Sequence, residues 1–354
     1  MPYQVEIEPL GAIVEVEEGQ TILDAALRAG VYLPHACGHG LCSTCKVDIL
    51  EGDVEQGEAS PFALMDFERD EGKCLACCAV PQSDLVIEVD VEEEVDAQIH
   101  LVRDFKGIVS KIETMTPRIK GIFIALEQDK LDFQAGQYVN VIIPGLESQP
   151  RAFSISSPPS ESELIELNVS LIENGQGTSY IHNDLKVGDE ISFTGPYGRF
   201  FVRKSQPEPI IFLSGGSGLS SPKSMILNLL ESGASQSITL IYGARNTQEL
   251  YYRGLFERLQ QDYENFRYVP VVSAEPEGSD WSGIRGYVHD AADEVFDGRF
   301  EGYKAYLCGS PPMIDACIST LMKGRLFERD IYLENFYTNA SKSEKPKSPL
   351  FKSI

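Results

Sequence analysis

Six of the eight cysteines lie within the first 78 residues, and four of them have the spacing of metal ligands. Residues 37–45 read C-x4-C-x2-C, and a further cysteine follows 32 positions later. This spacing holds [2Fe–2S] clusters, in which four thiolates surround two irons. Gly38 and Gly40 allow the loop a positive φ, which brings backbone N–H groups close to the sulfurs. The sequence therefore predicts a [2Fe–2S] cluster with four ligands: Cys37, Cys42, Cys45 and Cys77.

A zinc site is the alternative reading of the same cysteines. Cys42 and Cys45 form one CxxC pair, and Cys74 and Cys77 form a second, as in a zinc ribbon. The 28 residues between the pairs exceed the usual ribbon spacing, and a zinc site leaves Cys37 without a role. The pattern favours the cluster, with Cys74 and Cys78 as spare thiols near it.

A second group of residues has the chemistry of a flavin site. The arginine of the RAFS tetrapeptide pairs with a pyrophosphate, its aromatic residue stacks on a flavin, and its serine hydrogen-bonds the ring. A Gly-Thr pair further on opens a short helix whose N-terminus faces an anion. The predicted FAD-binding residues are Arg151, Ala152, Phe153, Ser154, Gly177 and Thr178.

A third group fits a nicotinamide dinucleotide. A glycine-rich turn follows one apolar strand and precedes a helix, which is the context that a dinucleotide loop requires, although it is not a strict GxGxxG. A Cys-Gly pair follows a later strand in the same way. Arg245 follows another strand, where it could meet the 2′-phosphate of NADPH. The predicted nicotinamide-binding residues are Gly215, Gly216, Ser217, Gly218, Arg245, Cys308 and Gly309.

Three stretches of different periodicity position these motifs. Residues 1–95 combine a hairpin, a helix over 21–30 and further strands, which predicts a small α+β domain. Residues 103–203 carry strands punctuated by glycine, proline and asparagine, which predicts an antiparallel β-barrel. Residues 204–338 alternate strands and helices, which predicts an α/β doubly wound parallel sheet. Residues 339–354 form a lysine-rich C-terminal tail without periodicity.

Charge and hydropathy exclude several functional classes. The 354 residues carry a net charge of −24, which argues against a nucleic-acid partner. No apolar run reaches the ~18 residues that a membrane span needs, and no export signal is evident, so we expect no membrane association and a cytoplasmic location. Residues 1–100 hold 22 acidic and four basic residues, a net charge of −18. This surface either solvates the domain or attracts a complementary partner.

The motifs together resemble a known family. CGHGLCSTC, RAFS, GPYG, GGSGLSSPKSM, CGSPPM and IYLENF occur in the order found in reductases of bacterial multicomponent oxygenases, which are related to ferredoxin–NADP reductase. The segments EASPFALMDFERDEGK and LIYGARNTQELYY resemble the reductase components of multicomponent phenol hydroxylases. This resemblance implies a β-grasp-like [2Fe–2S] ferredoxin domain, an antiparallel FAD-binding barrel and an NAD-binding doubly wound domain.

The resemblance also implies residue roles. Ser154 would lie near flavin N5 and Cys308 beside the hydride path, with Glu334 and Phe336 completing the pocket. The chain departs from the family pattern where Ser220-Ser221 replace a common Ala-Pro, and where Phe153 stands in place of a frequent tyrosine.

These expectations combine into one electron-transfer chain. A nicotinamide delivers two electrons as hydride, an iron–sulfur cluster accepts one at a time, and a flavin converts between them. We expect an NADH-dependent reductase, with NADPH possible, that passes electrons through FAD and [2Fe–2S] to the oxygenase component of a phenol hydroxylase in aromatic catabolism. The alternatives are a reductase for a toluene-type monooxygenase or a ring-hydroxylating dioxygenase, a ferredoxin-type carrier with an inactive reductase half, and a zinc-bound scaffold.

Overall fold

The computed structural model describes residues 2–91, 94–127, 129–147 and 149–335. The chain divides into two compact units, with the division between Arg103 and Asp104. Within the described residues, no helix has both the length and the apolar character that crossing a membrane requires.

Unit 1 is a mixed sheet that packs against one main helix. Its elements are β1 (Tyr3–Glu8), β2 (Ala12–Val16), α1 (Ile22–Arg28), β3 (Lys46–Glu51), β4 (Val54–Glu55), α2 (Asp66–Asp70), β5 (Lys73–Leu75), β6 (Val80–Pro81) and β7 (Leu85–Glu88). The five-stranded sheet has the order β2-β1-β7-β3-β5, and β4 pairs separately with β6. Only the central β1–β7 pair is parallel. The α+β fold expected for this part of the chain is confirmed.

Helix α1 begins and ends close to the residues that the sequence predicts. The Thr21 hydroxyl accepts a hydrogen bond from the Asp24 amide at 3.3 Å, which caps the helix. The Asp24 carboxylate pairs with Arg28 at 2.9 Å instead of closing a reciprocal capping box. Gly30 follows the helix with φ +77°, a conformation that favours glycine.

The first half of unit 2 is an antiparallel barrel. Its elements are β8 (Arg103–Thr116), β9 (Ile119–Ala125), β10 (Tyr138–Ile142), β11 (Arg151–Ser154), β12 (Leu164–Ser170), α3 (Gln176–Asn183) and β13 (Glu190–Tyr197). The strand order is β11-β10-β13-β8-β9-β12. A bridge between Ile155 and Leu167 and a 2.7 Å bond from the Ser156 amide to the Glu166 carbonyl bring the two edge strands together. The predicted barrel is confirmed.

The second half of unit 2 is a parallel sheet with the order β17-β16-β15-β14-β18-β19, numbered below. Its elements are β14 (Ile210–Gly215), α4 (Ser220–Glu231), β15 (Ile238–Ala244), α5 (Arg253–Asp262), β16 (Phe266–Val272), β17 (Ile284–Arg285), α6 (Val288–Phe296), β18 (Lys304–Gly309), α7 (Pro311–Lys323) and β19 (Ile331–Asn335). From β14 the chain first adds β15, β16 and β17 on one side of the sheet, and it then adds β18 and β19 on the other side. This reversal makes the carboxyl ends of β14 and β18 the place where a ligand binds in such a fold. The predicted doubly wound sheet is confirmed.

One predicted helix is shorter than expected. The apolar pattern from Glu249 predicts a continuous helix, but α5 begins only at Arg253. Tyr251 is buried against Tyr242, with ring centroids 5.8 Å apart, and Tyr252 adopts a left-handed φ of +58°. Packing of these two rings overrides the local helical preference.

Candidate functional site

The cysteine loop of unit 1 directs backbone amides at sulfur. The amides of His39 and Leu41 donate hydrogen bonds to Cys37 Sγ at 3.4 and 3.3 Å. Gly38 and Gly40 have φ of +68° and +71°, so the loop depends on glycine at both positions. A Cβ on Gly40 would also come within 2.7 Å of the Glu58 carbonyl oxygen. Such N–H···S bonds stabilise thiolates that bind iron.

The four predicted ligands come together as two pairs of thiols. Cys37 is hydrogen-bonded to Cys42, and this bond lowers the pKa of Cys42 to about 5. Cys77 is hydrogen-bonded to Cys45 and Cys78, and these bonds together with burial raise the pKa of Cys77. Two thiol pairs match the two irons of a [2Fe–2S] cluster, each of which needs two protein sulfurs.

The spare cysteines occupy different surroundings. Cys74 lies on β5, is fully buried, and has a pKa raised to about 12 by burial. Cys78 Sγ lies 3.6 Å from Cys77 Sγ. Among the residues that the structure describes, no three histidine, cysteine, aspartate or glutamate side chains converge as ligands of a single metal ion. Four cysteines arranged as two pairs of thiols fit the two irons of a [2Fe–2S] cluster.

The barrel brings the predicted flavin-binding residues together. Arg151, Phe153 and Ser154 lie along β11, and Gly177 and Thr178 lie in the first turn of α3. A Cβ on Gly177 would come within 3.0 Å of the Arg151 side chain, so glycine allows the guanidinium to lie close to this helix N-terminus. A cation and free helix N–H groups are the chemistry that a pyrophosphate needs. The residues fit FAD.

The predicted nicotinamide loops meet at the carboxyl ends of neighbouring strands. Gly215, at the end of β14, leads into a 3-10 turn over Gly216–Leu219, and α4 follows directly. A Cβ on Gly218 would lie 2.4 Å from the Cys308 carbonyl oxygen, so only glycine permits the two loops to approach this closely. The residues fit a dinucleotide that binds across the junction of β14 and β18.

The three residues predicted to be catalytic meet, because Ser154 and Cys308 both donate to one carboxylate oxygen of Glu334. Glu334 on β19 is the register partner of Cys308 on β18. Glu334 Oε2 accepts hydrogen bonds from Ser154 Oγ at 3.2 Å and from Cys308 Sγ at 3.2 Å. It also accepts a bond of 2.6 Å from Ser221 Oγ at the start of α4. The sequence did not assign a role to Ser221, although its departure from the family pattern drew attention to it.

Burial affects the protonation of both Glu334 and Cys308. Removal from water raises the pKa of Glu334, while the donors Ser221, Cys308 and Ser154 lower it in part. Burial also raises the pKa of the Cys308 thiol well above its usual range, and the neighbouring carboxylate adds to this. Cys308 is therefore a neutral thiol that donates to Glu334.

A buried ion pair that sequence reasoning missed joins the barrel to the parallel sheet. Lys223 Nζ on α4 lies 2.7 Å from Glu166 Oε2 on β12, and both side chains are almost fully buried. Lys223 also donates to the Ser156 carbonyl at 3.0 Å, and the Tyr252 hydroxyl donates to Glu166. The sequence did carry a signal for this pair: apart from the glutamate at its C-terminal end, α4 contains a single charged residue, Lys223.

The predicted nicotinamide-binding residue Arg245 already has an ionic partner. Arg245 directly follows β15, where it forms a two-point ion pair with Glu249. No acidic residue directly follows β15 in the sequence, but the fold brings Glu249 next to Arg245 at the end of this strand. Phe336 lies outside the described residues.

Comparison with known proteins identifies the class first. Residues 5–82 match the family of 2Fe-2S iron-sulfur cluster binding domains. Residues 106–202 match the oxidoreductase FAD-binding domain, and residues 212–318 match the oxidoreductase NAD-binding domain. The chain is an oxidoreductase whose cofactors are a [2Fe–2S] cluster, FAD and NADH, which confirms the predicted cofactors.

Full-length relatives then define the family. The chain is 58% identical to the reductase component of phenol 2-monooxygenase from Pseudomonas sp. (strain CF600) and 55% identical to the phenol hydroxylase P5 protein of Acinetobacter pittii (strain PHEA-2). Both alignments cover all of each chain. The crystal structure of an Amycolatopsis cytochrome P450 reductase has a similar fold, with a TM-score of 0.86. Its sequence is 30% identical, and the match covers 94% of this chain and 98% of the reductase. The chain belongs to the family of phenol hydroxylase reductase components.

Proposed function

We propose that this protein takes hydride from NADH and delivers single electrons to the oxygenase component of a phenol hydroxylase. The observation that carries the proposal is the convergence of Ser154, Cys308 and Glu334 at the junction of the barrel and the parallel sheet. The full-length identity to the reductase component of phenol 2-monooxygenase supports the choice of partner. FAD, when bound, accepts hydride and releases electrons one at a time, which the cluster requires.

Within this proposal, Ser154, Cys308 and Glu334 would line the place where hydride passes from the nicotinamide to the flavin. The Ser154 hydroxyl and the Cys308 thiol are held in fixed directions because both donate to the same carboxylate oxygen. All three side chains are almost fully buried, so bulk water has little access to them. Their role is to orient the two rings and to hold protons on the serine and cysteine.

The remaining predicted residues hold the two dinucleotides. Arg151, Gly177 and Thr178 would bind the FAD pyrophosphate, and Ala152 and Phe153, on the same strand as Arg151, would contribute to the flavin site. The glycine-rich turn and the β18 loop would bind the nicotinamide cofactor through backbone amides. The corresponding residues are Gly215, Gly216, Ser217, Gly218 and Gly309.

The surroundings of Arg245 support NADH over NADPH. The Glu249 carboxylate already neutralises the guanidinium by a two-point ion pair. A 2′-phosphate at this strand end would have to displace or oppose that carboxylate, whereas a 2′-hydroxyl could donate to it. We therefore propose NADH as the physiological donor.

The proposal includes the cluster ligands and the domain division. Cys37, Cys42, Cys45 and Cys77 would bind the two irons as two pairs. We propose a ferredoxin domain over 1–95, an FAD domain over 103–203, an NAD domain over 204–338 and a tail over 339–354. The free cysteines are compatible with a reducing cytoplasm, where we place the activity.

An anaerobic titration of the purified holoprotein with NADH, followed by visible absorption, tests the electron path. We expect the flavin and cluster bands to bleach together, with more than one electron pair taken up per molecule. The reduced protein should then support phenol hydroxylation by a purified phenol hydroxylase oxygenase component. A cluster that NADH leaves oxidised would contradict the internal path. Full bleaching without phenol hydroxylation, but with activity toward a toluene-type oxygenase, would instead contradict the choice of partner.

A further inference from the structure

Unit 1 exposes three large apolar side chains within six residues. Phe62, Met65 and Phe67 are 48%, 47% and 57% exposed, and we refer to them as the apolar ridge. Isolated exposed apolar residues are common on protein surfaces, whereas three within one short segment make a candidate interaction site.

The ridge is held in place by its own neighbours. Ala63 and Leu64, between the ridge residues, are buried and anchor the segment to the core. Their amides donate to the Ser60 carbonyl at 2.9 and 3.0 Å, which forms a tight turn. The Met65 amide then donates to Glu68 at 2.9 Å at the start of α2. The backbone of the segment is therefore fixed by the fold, and little backbone conformational entropy is lost when a partner covers the ridge.

The segment that carries the ridge contacts the cluster loop directly. The Ser60 amide donates to the Gly40 carbonyl at 2.8 Å, and Gly40 lies between two of the proposed iron ligands. Cys78 Sγ lies 3.6 Å from Cys77 Sγ and donates to the Glu58 carbonyl at 3.7 Å. A partner that covers the ridge would thus lie close to the loop that carries three of the proposed iron ligands.

The surroundings of the ridge are acidic. Residues 58–71 contain five acidic residues and one arginine, a net charge of −4. The nearby Lys46 and Lys73 are paired with Glu68 and Asp48. Four of the acids remain exposed: Glu58, Asp66, Asp70 and Glu71. A partner that fits this surface needs an apolar depression bordered by lysine or arginine.

We propose that the apolar ridge and its exposed acids form the surface that docks the oxygenase component. This inference rests on the proposed function and adds the residues by which the partner is recognised. Burial of the ridge stabilises the complex, and the acids accelerate the encounter with a basic partner surface. The surface places the partner next to the loop that carries three of the proposed iron ligands.

The test replaces the ridge in the holoprotein as Phe62→Gln, Met65→Gln and Phe67→Gln together. Phenol hydroxylation driven by NADH is measured against the concentration of purified oxygenase component. We expect the KM for the oxygenase to rise at least tenfold, while kcat changes less than twofold. Ferricyanide reduction and the rate of cluster bleaching by NADH should stay within twofold of wild type.

A matched control changes three exposed apolar residues of unit 2 to glutamine. Leu164, Val187 and Phe327 are 37%, 60% and 56% exposed, and this variant should leave the KM for the oxygenase unchanged. In a second variant, Asp66→Asn with Asp70→Asn, the association rate should fall and its salt dependence should flatten.

The outcomes separate the two proposals. An unchanged KM in the ridge variant, or an equal rise in the control, would overturn the docking surface. A slowed bleaching of the cluster by NADH would also overturn it, because the ridge would then face the flavin-binding unit of the same molecule. Failure of the wild-type protein to drive the oxygenase, despite normal cluster bleaching, would refute the proposed partner itself.

Discussion

At the scale of single residues, Glu334 organises the candidate active site. Its Oε2 accepts bonds from side chains on three different elements, β11, β18 and α4. A buried carboxylate with several donors keeps those donors in one orientation, and the donors in turn oppose the effect of burial on its charge. Ser221 makes the shortest of these bonds and is the residue that replaces the proline of the family pattern. Its hydroxyl is therefore a positioning group for Glu334.

The substitution Ser221→Ala tests whether the Ser221 hydroxyl positions Glu334, because it removes one hydrogen bond to that carboxylate. Loss of a donor to the carboxylate removes a contribution that lowers the pKa of Glu334, so its pKa rises further and protonation extends to higher pH. Hydrogen bonds to charged groups contribute about 1.5–3 kcal/mol. We expect the pH midpoint for flavin reduction by NADH to move upward in stopped-flow measurements, with a several-fold lower rate below it. Ser220→Ala is the control, since the Ser220 hydroxyl donates to the Ser217 carbonyl. A midpoint equal to that of wild type would show that Ser221 does not act on Glu334.

At the scale of elements, a few contacts decide how the barrel and the parallel sheet meet. Helix α4 starts at the glycine-rich turn and buries Lys223 against Glu166 of β12. The neighbouring Ser224 hydroxyl donates to the Ser157 carbonyl at 2.7 Å, so two successive residues of α4 bind the barrel. The same helix carries Ser221, which means that the position of the flavin-binding strand and the position of Glu334 are linked through α4.

Breaking the buried ion pair between Lys223 and Glu166 should lower the free energy of unfolding. Lys223→Met leaves the Glu166 carboxylate uncompensated in the interior, which costs about 3–5 kcal/mol in comparable proteins. We expect a loss of this size in urea unfolding of the holoprotein, monitored by flavin fluorescence. The double change Lys223→Met with Glu166→Gln should recover most of it, because no buried charge remains. Equal destabilisation by the single and the double change would instead assign the effect to packing alone.

At the scale of the whole molecule, the chain separates the cluster from the hydride chemistry. All four proposed iron ligands lie in unit 1, and all of the described residues assigned to FAD and NADH lie in unit 2. The charge follows the same division, since residues 1–100 carry −18 of the total of −24. Each unit therefore supports one part of the electron path with its own core.

This division predicts that loss of the cluster leaves hydride transfer intact. Cys77→Ser should abolish the cluster spectrum and delivery to the oxygenase, while reduction of ferricyanide by NADH stays within about twofold of wild type. Cys74→Ser is the matched control, because Cys74 is buried on β5 and is not among the paired thiols. It should retain the cluster. If Cys74→Ser lost the cluster and Cys77→Ser kept it, the fourth ligand would be Cys74.

The sequence alone predicted the three folds and their order, which are confirmed, and the local parts of each proposed site. The three cysteines of residues 37–45 and the glycine-rich turn at 215–218 are each contained in one short segment, so spacing reveals their chemistry directly. Strand periodicity likewise predicted the barrel and the parallel sheet, although the start of α5 was wrong because the packing of Tyr251 overrides local preference.

Only the tertiary structure decided which distant side chains meet. Ser221 and Glu334 are 113 residues apart, and Glu166 and Lys223 are 57 apart. Their contacts depend on the register of β19 beside β18 and on the packing of α4 against the barrel, and neither leaves a periodic pattern in the chain. The apolar ridge has the same origin. Its three side chains belong to a segment that also contains buried apolar residues, and the turn at Ser60 determines which of them face the solvent.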